Sequence, residues 1–233
     1  KARALCPGPA WPRLLRMALG NRARAEAYFP HVLAASSAGD EVRDFCFELA
    51  RELEKKGLYS RAQRVLRRAA GRYPEDFEIQ LVLAQSLENG GRSAPAEKAF
   101  RRVRRLLRGA ADKNPNSPQL LLAQAQVAAR FKKFAQAEAA ARSLLKAAWL
   151  PTHPLFRQGR MTLAKILIDA GRCESAEDVL SAASQADPGL ARDAGYLQLR
   201  LAQAEGLARS KKFAAAEAAA KRLLESAAGT AQP

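Results

Sequence analysis

Aromatic residues are scarce in this chain, at 6% of 233 positions, and there are two histidines and three cysteines. Few β-branched residues accompany them, which removes the usual material of strands. Cys6, Cys46 and Cys173 are odd in number and widely spaced, so they form neither a disulfide framework nor a metal-ligand set. They read as small buried hydrophobes, and unpaired thiols point to the cytoplasm. His31 follows Pro30 beside a helix and reads as structural, whereas His153, between Pro151 and Pro154, sits in a loop open to a partner. Neither has a Cys or a carboxylate at metal-ligand spacing. No apolar run approaches about 18 residues, which excludes a membrane-spanning helix. The chain opens on Lys1 with no signal-peptide core, so upstream residues are expected to be missing, whether an anchor, a signal or a catalytic domain. No glycine-rich loop suited to phosphate and no nucleophile motif is found. The chain is therefore expected not to be an enzyme, and to use no cofactor and no metal.

What remains is rich in Ala, Leu, Arg, Glu and Lys, the residues that favour helix. Hydrophobic residues make up 48%, enough for a packed core despite a net charge of +16. The expected class is all-α.

The stretch Gly57 to Pro74, GLYSRAQRVLRRAAGRYP, shows how the helices are arranged. Gly57 ends one helical run. Tyr59, Ala62, Leu66 and Ala69 then mark the apolar face of a second, and Leu49, Ala50 and Leu53 mark the first. The pattern recurs through the chain. In 77–115 it reads Leu83, Ala84, Leu87, Gly91, Ala96, Phe100 and Val103, with a second helix reaching about Ala111. From about Pro118 to Leu150 it reads Ala125, Phe134, Ala137 and Leu144, with no glycine at the turn and with Gln124 where a Leu is usual. In 157–190 it reads Leu163, Ala164, Leu167, Gly171, Ala176, Leu180, Ala183 and Pro188, after the Pro-rich connection 149–154. The fifth copy, 193–226, matches the third: 123–145 and 202–224 agree at most positions, 79 residues apart. A degenerate first hairpin is expected in 1–39, repeats one to three in 40–153 with Asp40 as a helix N-cap, repeats four and five in 154–226, and a disordered tail in 227–233.

These hairpins resemble the tetratricopeptide repeat (TPR), a helix-turn-helix unit of about 34 residues. The small residue of each second helix, Ala25, Ala62, Ala96, Ala137, Ala176 and Ala216, recurs at spacings of 37, 34, 41, 39 and 40, mostly longer than the family unit. The resemblance implies an α-α superhelix of five to six stacked hairpins, in which each hairpin covers an apolar face of its neighbour. It also implies an inner wall made by the first helices. In that register one inward position holds Phe47, Leu81, Leu122, Met161 and Leu201. The next, one turn on, holds Arg51, Gln85, Gln126, Lys165 and Glu205. An apolar ladder beside a polar row suits an extended or helical peptide; the alternative is that neighbouring helices cover these residues and they complete the core. Chaperone-binding members grip a C-terminal carboxylate with Lys and Asn at such places. Phe47 and Arg51 stand there instead, so that activity does not carry over.

The second helices carry basic stripes. Arg61, Arg64, Arg68 and Arg72 form one, and Arg101, Arg104, Arg105 and Arg108 the other, both opposite the apolar residues Leu66 and Phe100. On the outer surface they are either a solvated face or a patch for an acidic protein, a nucleic acid or anionic lipid headgroups. Stacking aromatics are absent, which weighs against nucleic acid. The resemblance implies a protein-interaction scaffold or adaptor in a bacterial secretion, envelope or signalling assembly. The other readings are a polyanion-binding module and an accessory domain of a larger enzyme.

Overall fold

The computed structural model describes residues 39–146 and 154–228. The expected first hairpin, with Cys6, Ala25 and His31, lies outside them, as do His153 and residues 229–233. The chain divides into two compact units, 1–108 and 109–233. Both are built of antiparallel helical hairpins, so the fold is all-α and of the α-α superhelix class.

In the first unit, α1 (Gly39–Lys55) and α2 (Tyr59–Arg72) form one hairpin, and α3 (Phe77–Asn89) leads into α4 (Ser93–Lys113). Helix α1 packs on α2, and both pack on α3. Phe45, Leu49, Leu53, Leu66 and Ile79 are fully buried between them. Helix α3 starts cleanly because the Asp76 carboxylate accepts hydrogen bonds from the Glu78 and Ile79 amides at 2.9 and 3.1 Å.

The second unit holds three hairpins: α5 (Pro118–Arg130) with α6 (Phe134–Lys146), α7 (Pro154–Asp169) with α8 (Cys173–Ala186), and α9 (Ala194–Arg209) with α10 (Phe213–Ala228). A short 3₁₀ helix, Pro188–Arg192, links α8 to α9. The leading helices α5, α7 and α9 pack side by side, α6 lies against α7, and α8 against α9. Leu163, Ile166 and Leu167 of α7 fill the space between Ala125, Ala137, Ala141 and Ala176. Small residues on one helix let the next approach closely enough for its leucines to reach across.

The five turns inside the described hairpins close in the same way. The amides of Leu58, Arg92, Lys133, Arg172 and Lys212 each donate to the carbonyl five residues back, those of Leu53, Leu87, Ala128, Leu167 and Leu207, at 2.8–3.0 Å. This is the Schellman closure, and it needs a left-handed residue just before the donor. Gly57, Gly91 and Gly171 supply it at φ 71°, 73° and 75°. Lys132 and Lys211 take the same conformation at φ 57° and 60°, which is how the third and fifth hairpins turn without glycine. The residue after the left-handed one then accepts from the repeat's small alanine: Ala62, Ala96, Ala137, Ala176 and Ala216 donate to Leu58, Arg92, Lys133, Arg172 and Lys212.

Several boundaries differ from expectation. Helix α1 begins at Gly39, so Asp40 lies within the helix and not before it. Helix α4 runs to Lys113, Pro154 starts α7, and α10 continues to Ala228. Proline suits the start of α7 because the first turn of a helix has no partner for its amide. The 3₁₀ turn was not legible; Asp187 anchors it by accepting from the Gly189 amide.

Candidate binding faces

The leading helices carry the expected ladder, and in the first unit it falls on α1 and α3. Phe47 is half-buried, Arg51 is exposed, Gln85 is half-buried and Leu81 is buried. In the second unit Leu122 is buried with Leu121, Leu144 and Leu155. Met161 is half-buried on the cluster of Ala164, Leu180, Leu190 and Tyr196. Leu201 is open, at 49% exposure. Gln126 is half-buried, and Lys165 and Glu205 are exposed. The ladder is therefore not a continuous open row. Leu81 and Leu122 belong to the core: at both positions the helices are packed closely enough to cover an aliphatic side chain. The accessible rungs are Phe47 in the first unit and Met161 and Leu201 in the second.

The basic stripes lie in the first unit. Arg61, Arg64, Arg68 and Arg72 are exposed along α2; Arg101, Arg105 and Arg108 are exposed along α4, with Arg104 half-buried. Leu66 and Phe100 are buried on the opposite faces. Arg101 is held by Glu97 at 3.2 Å. Arg64, Arg68, Arg72, Arg105 and Arg108 have no acidic partner among the described residues. Arg102, between the stripe positions, donates to the Pro74 carbonyl at 3.1 Å and ties α4 to the end of α2.

One polar cluster was missed from sequence. Glu177 of α8 receives Arg200 at 2.6 Å and Gln203 at 2.7 Å from α9, Ser181 at 2.8 Å from its own helix, and Arg222 from α10. Arg200 is 5% exposed and also donates to the Tyr196 hydroxyl at 2.9 Å. Burial pushes the Glu177 carboxyl up, but the donors from Gln203, Arg200 and Ser181 outweigh it and hold the group down at about 2. The signal was present in the internal duplication: Arg200 stands 79 residues after Leu121, a charge where the copy has a core leucine. Its role is to fasten three consecutive helices. Cys46 and Cys173 are buried and free, and burial alone raises the Cys46 thiol to about 12, which makes it inert.

Among the described residues, no helix is long and apolar enough to cross a membrane, and no group of three or more His, Cys, Asp or Glu is placed to hold a metal ion.

The family model described as Tetratricopeptide repeat matches residues 47–111 and 122–191, together more than half of the chain. Among curated proteins none matches. Solved structures share the fold. A thermophilic TPR protein of Thermus thermophilus, TTC0263, is 23% identical, with 84% of this chain and 96% of that one covered at a TM-score of 0.55. BtubC from P. vanneervenii is 16% identical, with coverages of 97% and 95% and a TM-score of 0.57. A tetratricopeptide repeat protein of Parabacteroides merdae is 15% identical, with coverages of 94% and 80% and a TM-score of 0.56.

Proposed function

Because the chain belongs to the tetratricopeptide repeat family, we propose that it is a non-catalytic interaction scaffold that binds a peptide or a partner helix along its leading helices. The observation that carries this reading is Leu201. A leucine at 49% exposure stands on a helix packed against α7, where Met161 is half-open. Lys165 and Glu205, one turn on from each, are exposed and opposite in charge. An apolar side chain of the guest would pack between Met161 and Leu201, and the Lys165 and Glu205 charges would fix its direction. Phe47 with Arg51 offers a similar, smaller element in the first unit. Stacked helices hold these groups in place before the guest arrives, which lowers the ordering cost of binding. A role as an adaptor in a bacterial secretion, envelope or signalling assembly fits this reading, and free buried thiols fit a cytoplasmic one.

A second reading rests on the arginines. Five cations of the first unit without acidic partners among the described residues suit an acidic protein or another polyanion. The two readings separate by substitution. Met161→Asp with Leu201→Asp is expected to weaken guest binding at least tenfold. Arg101→Glu, Arg104→Glu and Arg105→Glu together are expected to leave the guest bound and its binding insensitive to salt. The proposal fails if the arginine changes abolish capture and the groove changes leave it intact.

A further inference from the structure

The position after the small alanine holds Glu97, Glu138, Glu177 and Glu217 on four of the second helices, and Gln63 on α2. The exchange has a consequence one turn on. On α4 and α6 the glutamate binds the arginine four residues later: Glu97 meets Arg101 at 3.2 Å and Glu138 meets Arg142 at 2.9 Å. The equivalent arginine of α2 is Arg67. Gln63 does not reach it; it is buried, and its amide donates to the Ser86 carbonyl of α3 at 3.1 Å. Arg67 is exposed and has no acidic partner among the described residues.

The rest of α2 has the same character. Its 14 residues include five arginines, no lysine and no acidic residue. Arg64, Arg68 and Arg72 stand four residues apart, where like charges repel along a helix, and no carboxylate in the first turn meets the helix dipole. Gly71 lies on the same face, three residues after Arg68. It is exposed, and a Cβ there would meet nothing within 4 Å, so no neighbour in the fold calls for a glycine that weakens the helix. The outer face of α2 is thus assembled against the helix's own stability. Its inner face, with Ala62, Val65, Leu66 and Ala69, is buried in the fold and leaves nothing apolar to insert into a membrane.

We propose that this face of α2 docks an acidic α-helix of a partner protein. The inference rests on the arginine reading above and narrows it to one kind of polyanion. Arg64, Arg68 and Arg72 climb by about 6 Å a step, and carboxylates four residues apart on a second helix climb by the same step, so the two rows stay matched along their length. The guanidinium fork takes a carboxylate through two hydrogen bonds, which lysine cannot do. Gly71 lets the guest backbone come close where the row ends. Phosphates on a duplex strand advance by about 3.4 Å along an axis they wind around, and fall out of step with a straight row. The exposed residues from Arg61 to Arg72 are arginines and Gly71, with no aromatic ring on which a base could stack.

The test uses the full chain and two labelled helical peptides of about 20 residues and equal composition, read by fluorescence anisotropy. One carries its glutamates in a single stripe at every third or fourth position, and the other has them spread round the helix. The striped peptide is expected to bind at least tenfold more tightly. Arg64→Glu with Arg68→Glu is expected to weaken it at least tenfold, and lysines in place of the peptide's glutamates to restore binding to that variant. Gly71→Leu is expected to weaken it severalfold, and Met161→Asp with Leu201→Asp to leave it unchanged. The altered α2 positions are exposed, so these variants should melt like the parent. Equal binding of both peptides, lost in the arginine variant, overturns the docked helix and leaves the arginine reading standing; binding of neither overturns both. A DNA duplex or a phosphatidylserine vesicle held through Arg64 and Arg68 more tightly than the striped peptide also overturns the proposal, by assigning the face to phosphate.

Discussion

At the scale of single residues, the turns carry a stored cost. Lys132 and Lys211 sit in the left-handed region, which costs a side-chain-bearing residue about 1 kcal/mol or more. Lys211→Gly relieves that, partly offset by the looser unfolded chain, and is expected to stabilise the protein by about 0.5–1 kcal/mol. A urea midpoint below that of the parent would contradict this. Gly206 is constrained in the opposite sense, because a Cβ there would stand 2.5 Å from Cys173 Sγ. Gly206→Ala is expected to cost about 1–3 kcal/mol through overpacking, and Cys173→Ala in the same chain to recover most of it. Additive losses in that cycle would show that the two residues do not meet. Glu177 gives a pH signature. Its carboxyl titrates at about 2 in the folded chain against an ordinary 4.5, so the ionised form is favoured by folding. The stabilisation is therefore fully present above about pH 4.5 and is lost as pH falls towards 2. Glu177→Gln leaves Arg200 buried without its counter-charge, is expected to cost about 3 kcal/mol at pH 7, and flattens the acid limb of the stability profile. An unchanged acid limb in that variant would count against the network.

At the scale of elements, the hairpin is the unit that the sequence states most plainly. Spacing placed the small residue of each second helix; Ala62, Ala96, Ala137 and Ala176 are fully buried and Ala216 is half-buried. The leucine pattern of the leading helices was equally readable, because Leu49, Leu53, Leu87, Leu163 and Leu167 repeat with the helical period and every one is core. Two things were not readable. Whether a side chain such as Leu122 or Leu201 is closed or open depends on the neighbouring helix and not on its own: both fall at one register position, yet one is buried and the other half exposed. The Glu177 cluster draws on α8, α9 and α10, and no local pattern joins residues so far apart in the chain. The left-handed lysines show a third limit, since a turn without glycine looks irregular in sequence although its hydrogen bonds equal those of its neighbours. At this scale the groove makes its own prediction. Leu201→Asp lies on an exposed site, so it should leave helicity and melting unchanged while guest affinity falls. A large loss of stability would instead mean that Leu201 supports the fold.

At the scale of the whole molecule, two faces are proposed for partners: the Met161–Leu201 groove and the arginine stripes of the first unit. They differ in physics. The groove would gain by burying apolar surface and should tolerate salt, whereas the stripes would act through charge and should weaken steeply with it. The central claim is that the leading-helix groove is where the guest is held. The most direct test is amide hydrogen exchange on the full chain with and without a guest purified from its native cell. The account predicts new protection in α7 around Met161 and Lys165 and in α9 around Leu201 and Glu205, unchanged by raised salt. Protection confined to α2 and α4, and lost when salt is raised, would contradict it.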